Sequence, residues 1–151
     1  MKIIMNPSPF DDKLNTCDLG KIYLFLLNEI EGEQITGYKD KDQILYAMAE
    51  KFPNARFVLT LGSDGAVYYD GKEKVFQDIF EVKAVDTTAA GDTFTGYFIA
   101  AVIEGRSVQE ALRMAAKASS IAVSRPGATP SIPAMDEVKG KLGMQDFNKT
   151  E

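Results

Sequence analysis

The chain contains no histidine, and its 151 residues include a single cysteine, Cys17. Without histidine, this chain can build neither a Ser-His-Asp nor a Cys-His catalytic arrangement, and zinc sites with histidine ligands are excluded as well. A single cysteine forms no internal disulfide, which is consistent with a reducing compartment, and we expect a cytoplasmic protein. Any general base in this chain must therefore be Asp, Glu, Lys or Tyr.

The sequence also has no basic run and no long apolar run. Its formal net charge is −5, so composition does not predict nucleic-acid binding. The longest strongly apolar run, IYLFLL, is far too short to span a bilayer, and the first ten residues lack the apolar stretch of a signal peptide. With 45% apolar residues, we expect residues 1–151 to form one domain, of which residues 144–151 are a frayed tail.

Strand and helix patterns alternate along the chain. The segments KIIMN, KIYLFLLN and RFVLTLG read as strands, and KDQILYAMAEKF reads as a helix closed by Pro53. Asp70-Gly71 predicts a hairpin, and FEVKAVD predicts a further extended segment. A helix is expected from about Thr93 to Ile103, and a long helix with an alanine stripe follows a capping box at 107–110. The alternation predicts an α/β fold with a largely parallel sheet.

The stretch VDTTAAGDTFTGYF begins like a strand and ends like a helix. In an α/β sheet, ligands bind where the carboxyl ends of strands meet helix N-termini, whose free N–H groups attract anions. Ala89, Ala90 and Gly91 have small side chains, so an anion can approach their amides. Asp92 would repel a phosphate but is suited to accept a proton from an attacking hydroxyl. The alternative, about as well supported by spacing alone, is that Asp92 caps the helix and Gly91 eases the turn.

The segment DTTAAGDTFTGYF closely resembles the second signature of the ribokinase-like (PfkB) family of carbohydrate kinases. Four further segments resemble the family's segments in the same order: NPSP, NEIEGEQITG, LTLGSDGAVYY and IAVSRPGATPSIP. The resemblance covers residues 3–133. It implies a three-layer α/β/α fold with a mostly parallel sheet, and transfer of a phosphoryl group from ATP to a sugar or a related hydroxyl compound. It further implies that Asp92 is the catalytic base and that the amides of Ala89, Ala90, Gly91 and Asp92 form the anion hole.

The resemblance also implies a nucleotide site and a magnesium site. Thr60, Gly62 and Gly65 match the family's nucleotide-binding turn, although without the resemblance GSDG would read as an ordinary loop. Asn28 and Glu31 match an element associated with Mg²⁺ and its water shell, and their oxygens suit that cation. The alternative for Asn28 and Glu31, a turn followed by a solvated helix start, fits these two residues alone better than a metal role does.

A monovalent-cation site, occupied by K⁺ in many relatives, is the last site that the resemblance implies. Asp86 and the carbonyl of Thr88 match part of it. The remaining ligands would be the carbonyls of Ala122, Arg125 and Gly127, with Ser131. The alternative is that RPGATPS is a loop interrupted by prolines.

Two features of the sequence depart from the family pattern. Ala116 occupies a position where relatives often carry a polar residue near the adenine, which leaves the base preference open. Family members are also about twice as long as this chain, which resembles their C-terminal half.

We therefore keep a second hypothesis, a non-catalytic fragment that binds nucleotide or pairs with another chain. A third hypothesis, a phosphatase or another phosphate-handling α/β protein, lacks the sequence context expected around its nucleophile. Because no strand precedes KIIMN, we expect an exposed apolar edge there, and so a homodimer or a missing N-terminal half.

Overall fold

The structure is a computed structural model that describes residues 1–144. These residues belong to two compact units, Met1–Phe76 and a second unit that begins at Gln77. No helix in residues 1–144 is both long and apolar enough to cross a membrane. That residues 1–151 form one domain stays a prediction, and the predicted frayed tail lies, apart from Met144, outside the described residues.

The first unit contains a five-stranded mixed sheet and two α-helices. Its elements in chain order are β1 (Ile3–Met5), β2 (Ile22–Asn28), α1 (Glu29–Thr36), α2 (Lys41–Lys51), β3 (Arg56–Thr60), β4 (Ala66–Tyr69) and β5 (Lys74–Gln77). The strands lie in the order β1-β2-β3-β4-β5, and β2 is parallel to both β1 and β3, whereas β4 is antiparallel to β3. The predicted α/β class is confirmed, and β1 is an edge strand whose side chains are half-buried.

The core of the first unit lies between this sheet and α2. Phe25 of β2 and Phe57 of β3 stack with their ring centroids 5.8 Å apart, and Phe52, which follows α2, lies 4.9 Å from Phe25. Ile44 and Met48 of α2 are fully buried in the same cluster. Burying side chains of this size stabilises a fold by about 1.5–3 kcal/mol each. The packing therefore holds the carboxyl ends of β2 and β3 in register.

The described part of the second unit contains three α-helices: α3 (Ala90–Ile103), α4 (Val108–Val123) and α5 (Met135–Leu142). The predicted capping box begins α4, with Ser107 and Glu110 bonded to each other's backbone. Ala111, Ala115 and Ala118 of α4 are fully buried, and α3 packs against α4. Because alanine is small, the α4 backbone comes close to its neighbour, as the alanine stripe predicted.

Two expectations about the segment before α3 are wrong. The FEVKAVD segment forms no strand, because the amides of Val85 and Asp86 donate to the carbonyl of Val123 at 2.7 and 3.1 Å instead of to a neighbouring strand. The helix begins at Ala90, three residues before the expected Thr93. Asp92 is therefore the third residue of the helix and cannot be its N-cap, so the capping alternative for Asp92 is wrong as well.

Candidate functional sites

The N-terminus of α3 has no side-chain cap. Its N-cap residue is Ala89, which is buried and whose side chain has no oxygen to accept from the free amides of the first turn. The amide of Ala90 donates to the carbonyl of Thr87 at 3.2 Å, and that of Thr93 donates to Ala89 at 3.0 Å. Within residues 1–144, the amides of Gly91 and Asp92 have no such acceptor. The turn therefore presents unpaired N–H groups where the helix dipole favours an anion.

Gly91 has no role that the backbone or the packing of the chain explains. Its φ is not positive, and a Cβ added to it would meet nothing within 4 Å. A glycine inside a helix is less favourable than alanine by about 0.8–1 kcal/mol. Its position beside unpaired amides is one where a bare backbone would let a ligand come close. Asp92, next to it, is exposed.

Asp86 connects the loop before α3 to the loop after α4. One carboxylate oxygen accepts hydrogen bonds from the amide and the hydroxyl of Thr88, at 2.9 and 2.5 Å, and the other accepts from the amide of Gly127 at 3.1 Å. The bond from the Thr88 hydroxyl, followed by the two amide bonds, lowers the pKa of Asp86. The carboxylate thus holds the two loops together through its bonds to Thr88 and Gly127.

The structure brings together three residues of the predicted monovalent-cation site, Asp86, Thr88 and Gly127. The contacts are made by the amides of Thr88 and Gly127 and the hydroxyl of Thr88, and not by the predicted carbonyls. Of the others, the carbonyl of Ala122 already accepts the amide of Arg125 at 3.2 Å, and the Ser131 hydroxyl, which is buried, donates to the carbonyl of Ala128 at 2.6 Å. The donor set of carboxylate, carbonyl and hydroxyl oxygens suits a hard cation. In residues 1–144, no group of three or more His, Cys, Asp or Glu side chains is placed to hold a metal.

Asn28 and Glu31 form a reciprocal capping box at the start of α1. The Asn28 side-chain oxygen accepts the Glu31 amide at 2.9 Å, and the Glu31 carboxylate accepts the Asn28 amide at 3.0 Å. Only 5% of Glu31 is exposed. These contacts give both side chains a structural role at a helix start, but Glu31 is buried, whereas the alternative interpretation expected a solvated helix start. Amide and carboxylate oxygens are nevertheless donors that suit Mg²⁺, so the pair has the chemistry that the metal requires.

The predicted nucleotide-binding turn lies at the neighbouring strand end. Thr60 pairs with Asn28 across the parallel strands β3 and β2, which brings these two predicted site residues side by side. A short 3₁₀ turn, Gly62–Asp64, then returns the chain to β4. Gly62 has a φ of 56° and Gly65 a φ of 94°, so the backbone itself requires glycine at both positions. The Thr60 hydroxyl is 3.4 Å from the carbonyl of Leu27, a long and weak contact.

A family model described as "pfkB family carbohydrate kinase" matches residues 1–135 of this chain. The chain belongs to the pfkB family. Among similar proteins, the ribokinase of Lactococcus lactis is 32% identical over 98% of this chain and 47% of its own. A crystal structure of ribokinase from Thermotoga maritima is 34% identical with a TM-score of 0.79, and covers 94% of this chain and 49% of that one. The structure of Arabidopsis thaliana ribokinase, solved with ribose and ATP, is 33% identical with a TM-score of 0.81. The match covers 96% of this chain and 48% of the Arabidopsis chain.

This pfkB chain thus spans about half the length of the relatives it matches. The family match and the structural similarity confirm the resemblance and the ribokinase-like fold, of which this chain contains a part. The individual site assignments stay predictions. Ala116, the residue that departs from the pfkB pattern, is half-buried on α4.

One residue beside Asp92 was missed by sequence analysis. Thr93 is 2% exposed, and its hydroxyl oxygen is buried without a partner among the described residues. It lines a shallow open groove of about 220 Å³ with Asp92, Gly96, Tyr97, Ala100, Ile132 and Met135. Nothing in the sequence distinguishes Thr93 from an ordinary helical threonine, because only the three-dimensional structure shows which hydroxyl groups are buried without a hydrogen-bond partner.

Proposed function

We propose that this chain binds ATP and contributes the phosphoryl-transfer centre of a carbohydrate kinase that acts on a sugar or a related hydroxyl compound. The start of α3 carries the proposal. There, an uncapped helix leaves amides unpaired, Gly91 leaves them accessible, and an exposed carboxylate, Asp92, follows at once. Membership of the family and the ATP and ribose bound by the Arabidopsis relative support this assignment.

In this proposal, the acceptor hydroxyl attacks the γ-phosphorus of ATP while Asp92 takes its proton. The bond from phosphorus to the bridging oxygen breaks, and ADP leaves with the electron pair. The amides of Ala89, Ala90, Gly91 and Asp92 stabilise the negative charge on the transferring group, and the Ala90 amide exchanges its Thr87 acceptor for the ligand. A carboxylate positioned in this way typically contributes about 10²–10⁴-fold to the rate.

The residues at the ends of β2 and β3 would bind the nucleotide and its metal. The turn of Thr60, Gly62 and Gly65 would hold ATP. Asn28 and Glu31 would contact the water shell of Mg²⁺, which neutralises phosphate charge when bound. Asp86, with Thr88, Ala122, Arg125, Gly127 and Ser131, would hold K⁺ and so fix the loop that precedes the anion hole. These assignments rest on the family match and on the donor chemistry described above.

The length of the relatives supports a second candidate function. Because this chain spans about half of each relative, a non-catalytic nucleotide-binding or chain-pairing protein is the alternative. ATP consumption with a panel of sugars, measured beside ATP binding, separates the two. Binding without turnover for every sugar favours the alternative.

Asp92→Asn tests the chemical assignment. Asparagine keeps the size of the side chain and loses its interaction with the helix dipole, so stability should fall by about 0.3–1 kcal/mol at most. ATP binding should hold or tighten, because a negative charge near the phosphates is removed. Turnover should fall about 10²-fold or more, because the amide accepts no proton. A variant with near-normal kcat would show that Asp92 is not the base.

A further inference from the structure

We propose that Glu137 of α5, acting through its ion pair with Arg125, is a positioning residue for the turn that begins α3. This role rests on the proposed function, because the turn carries the amides assigned above to the anion hole. It adds to that function a residue that touches neither the phosphates nor the acceptor hydroxyl.

α5 has a defined position against α3. Val138 is fully buried, and Lys139, of which 8% is exposed, donates to the carboxylate of Glu104 at 3.0 Å. Just before α5, the carbonyl of Pro133 accepts the hydroxyl of Tyr97 at 2.5 Å. Tyr97 lies in α3 and Glu104 is its C-cap. These contacts make α5 a fixed support for whatever its other side chains hold.

The ion pair between Arg125 and Glu137 joins the loop after α4 to this support. The Arg125 guanidinium donates to the Glu137 carboxylate, and the two side chains are 37% and 29% exposed. Lys141, one turn further along α5, contacts the same carboxylate oxygen at 3.4 Å, but that pair lies within the helix. Glu137 therefore has one cation on the loop and one on its own helix.

Two residues after Arg125, the same loop contacts the turn before α3. The Gly127 amide donates to one carboxylate oxygen of Asp86 at 3.1 Å, and the other oxygen accepts the amide and the hydroxyl of Thr88. Gly127 has a φ of 91°, a conformation that favours glycine and that sets the direction of its amide. Thr88 lies two residues before α3 begins. A continuous series of contacts thus leads from α5 to the first turn of α3.

The size of the expected effect follows from the exposure of the pair. A partly exposed ion pair changes an equilibrium by about 2–5-fold, which is little for the stability of a whole chain. Here the pair holds a loop that has no helix or strand of its own apart from the 3₁₀ turn Thr129–Ser131. Its loss should therefore appear in the contacts of Asp86 before it appears in the unfolding midpoint.

The test is residue-resolved amide hydrogen exchange of the native chain and of variants that each remove one member of the two ion pairs. The amides of Gly127 and Thr88, which donate to the same carboxylate, should exchange about 2–5-fold faster in Glu137→Gln and in Arg125→Gln. The double variant should exchange no faster than either single variant, because both changes remove one interaction. Lys141→Gln is the matched control, since it removes the other cation of the same carboxylate, and its exchange should equal that of the native chain.

ATP binding provides a second measurement, in which the sign separates positioning from charge. Glu137→Gln removes a negative charge, so a purely electrostatic effect would tighten binding of the ATP anion. Loss of positioning should instead raise the dissociation constant by about 2–5-fold, as the misplaced turn directs its amides less well at the phosphates.

The proposal is overturned if exchange at Gly127 and Thr88 is unchanged in Glu137→Gln, or if Lys141→Gln accelerates it equally. It is also overturned if the amide of Ala115, in the buried middle of α4, accelerates by the same factor, because the pair would then stabilise the whole unit. Tighter ATP binding in Glu137→Gln would contradict it as well. A native chain that binds no ATP would instead refute the proposed function, since the exchange measurement needs no ligand and still decides whether the pair positions the turn.

Discussion

Glu31→Gln separates the two roles that the sequence and the structure give to Glu31. The side chain closes the capping box of α1 by accepting the Asn28 amide at 3.0 Å, and glutamine can accept the same bond. The loss is therefore limited to the interaction of the charge with the helix N-terminus, about 0.3–1 kcal/mol. For a chain of this size, that lowers the unfolding midpoint by only about 1–4 °C.

Binding of ATP should respond differently. If Glu31 also orders the water shell of Mg²⁺, the neutral side chain should raise the Mg²⁺ concentration needed for half-maximal ATP binding by about 10-fold or more. The assay is a titration of ATP binding against Mg²⁺ in the native chain and the variant, with urea unfolding of both. Ser107→Ala, which removes the side chain that caps α4, is the control for loss of a cap alone. An unchanged Mg²⁺ dependence in Glu31→Gln would show that the pair only caps α1.

Three further predictions concern the second unit. Potassium should raise the stability of the native chain and do much less in Asp86→Ala, as thermal unfolding with K⁺ or with a larger cation would show; equal responses would remove Asp86 from the cation site. Because the folded-state pKa of Asp86 is lowered, its stabilising effect is present above the unfolded-state pKa of about 3.9 and is lost as pH falls through the folded value. Urea midpoints below pH 4 should therefore fall more steeply in the native chain than in Asp86→Asn, and parallel slopes would contradict this. Ala118→Leu should destabilise the chain by about 1–3 kcal/mol by overpacking the alanine face of α4, which would lower its unfolding midpoint. Arg113→Leu, which introduces leucine at an exposed position of the same helix, should change the unfolding midpoint little.

Much of the fold was predictable because several segments carry their own structural signals. The apolar run of β2 predicted a strand, and Ser107 with Glu110 predicted where α4 begins. The segment before α3 was not predictable in the same way. A strand needs partners for its backbone groups, and here the carbonyl of Val123, a residue distant in sequence, takes the amides of Val85 and Asp86.

The residues of the candidate sites come from the resemblance and stay predictions, whereas the contacts between them could not be predicted from the sequence. The resemblance identified Asp86 and Thr88, and the structure adds that they bond to each other and that Asp86 also bonds to the Gly127 amide. The resemblance could not show that Gly62 and Gly65 have positive φ angles, which favour glycine, whereas Gly91 does not. Local conformation therefore gives the first two glycines a structural reason, and gives none for Gly91.

The uncapped start of α3 makes the first turn of this helix a reporter of anion binding. A Ser, Thr, Asn or Asp in place of Ala89 would stabilise the helix by about 0.5–2 kcal/mol, but its oxygen would occupy the amides of the first turn. With alanine there, the amide protons of Gly91 and Asp92 remain open to exchange with solvent until an anion covers them. Hydrogen exchange at these two positions would then slow with rising phosphate or ATP, and the ligand concentration at half effect would read the affinity of the site without any turnover. If the proposed anion site binds its ligand, binding would offset the stability that the protein forgoes at this helix end, by about 2.7 kcal/mol when the ligand is present at a hundred times its dissociation constant.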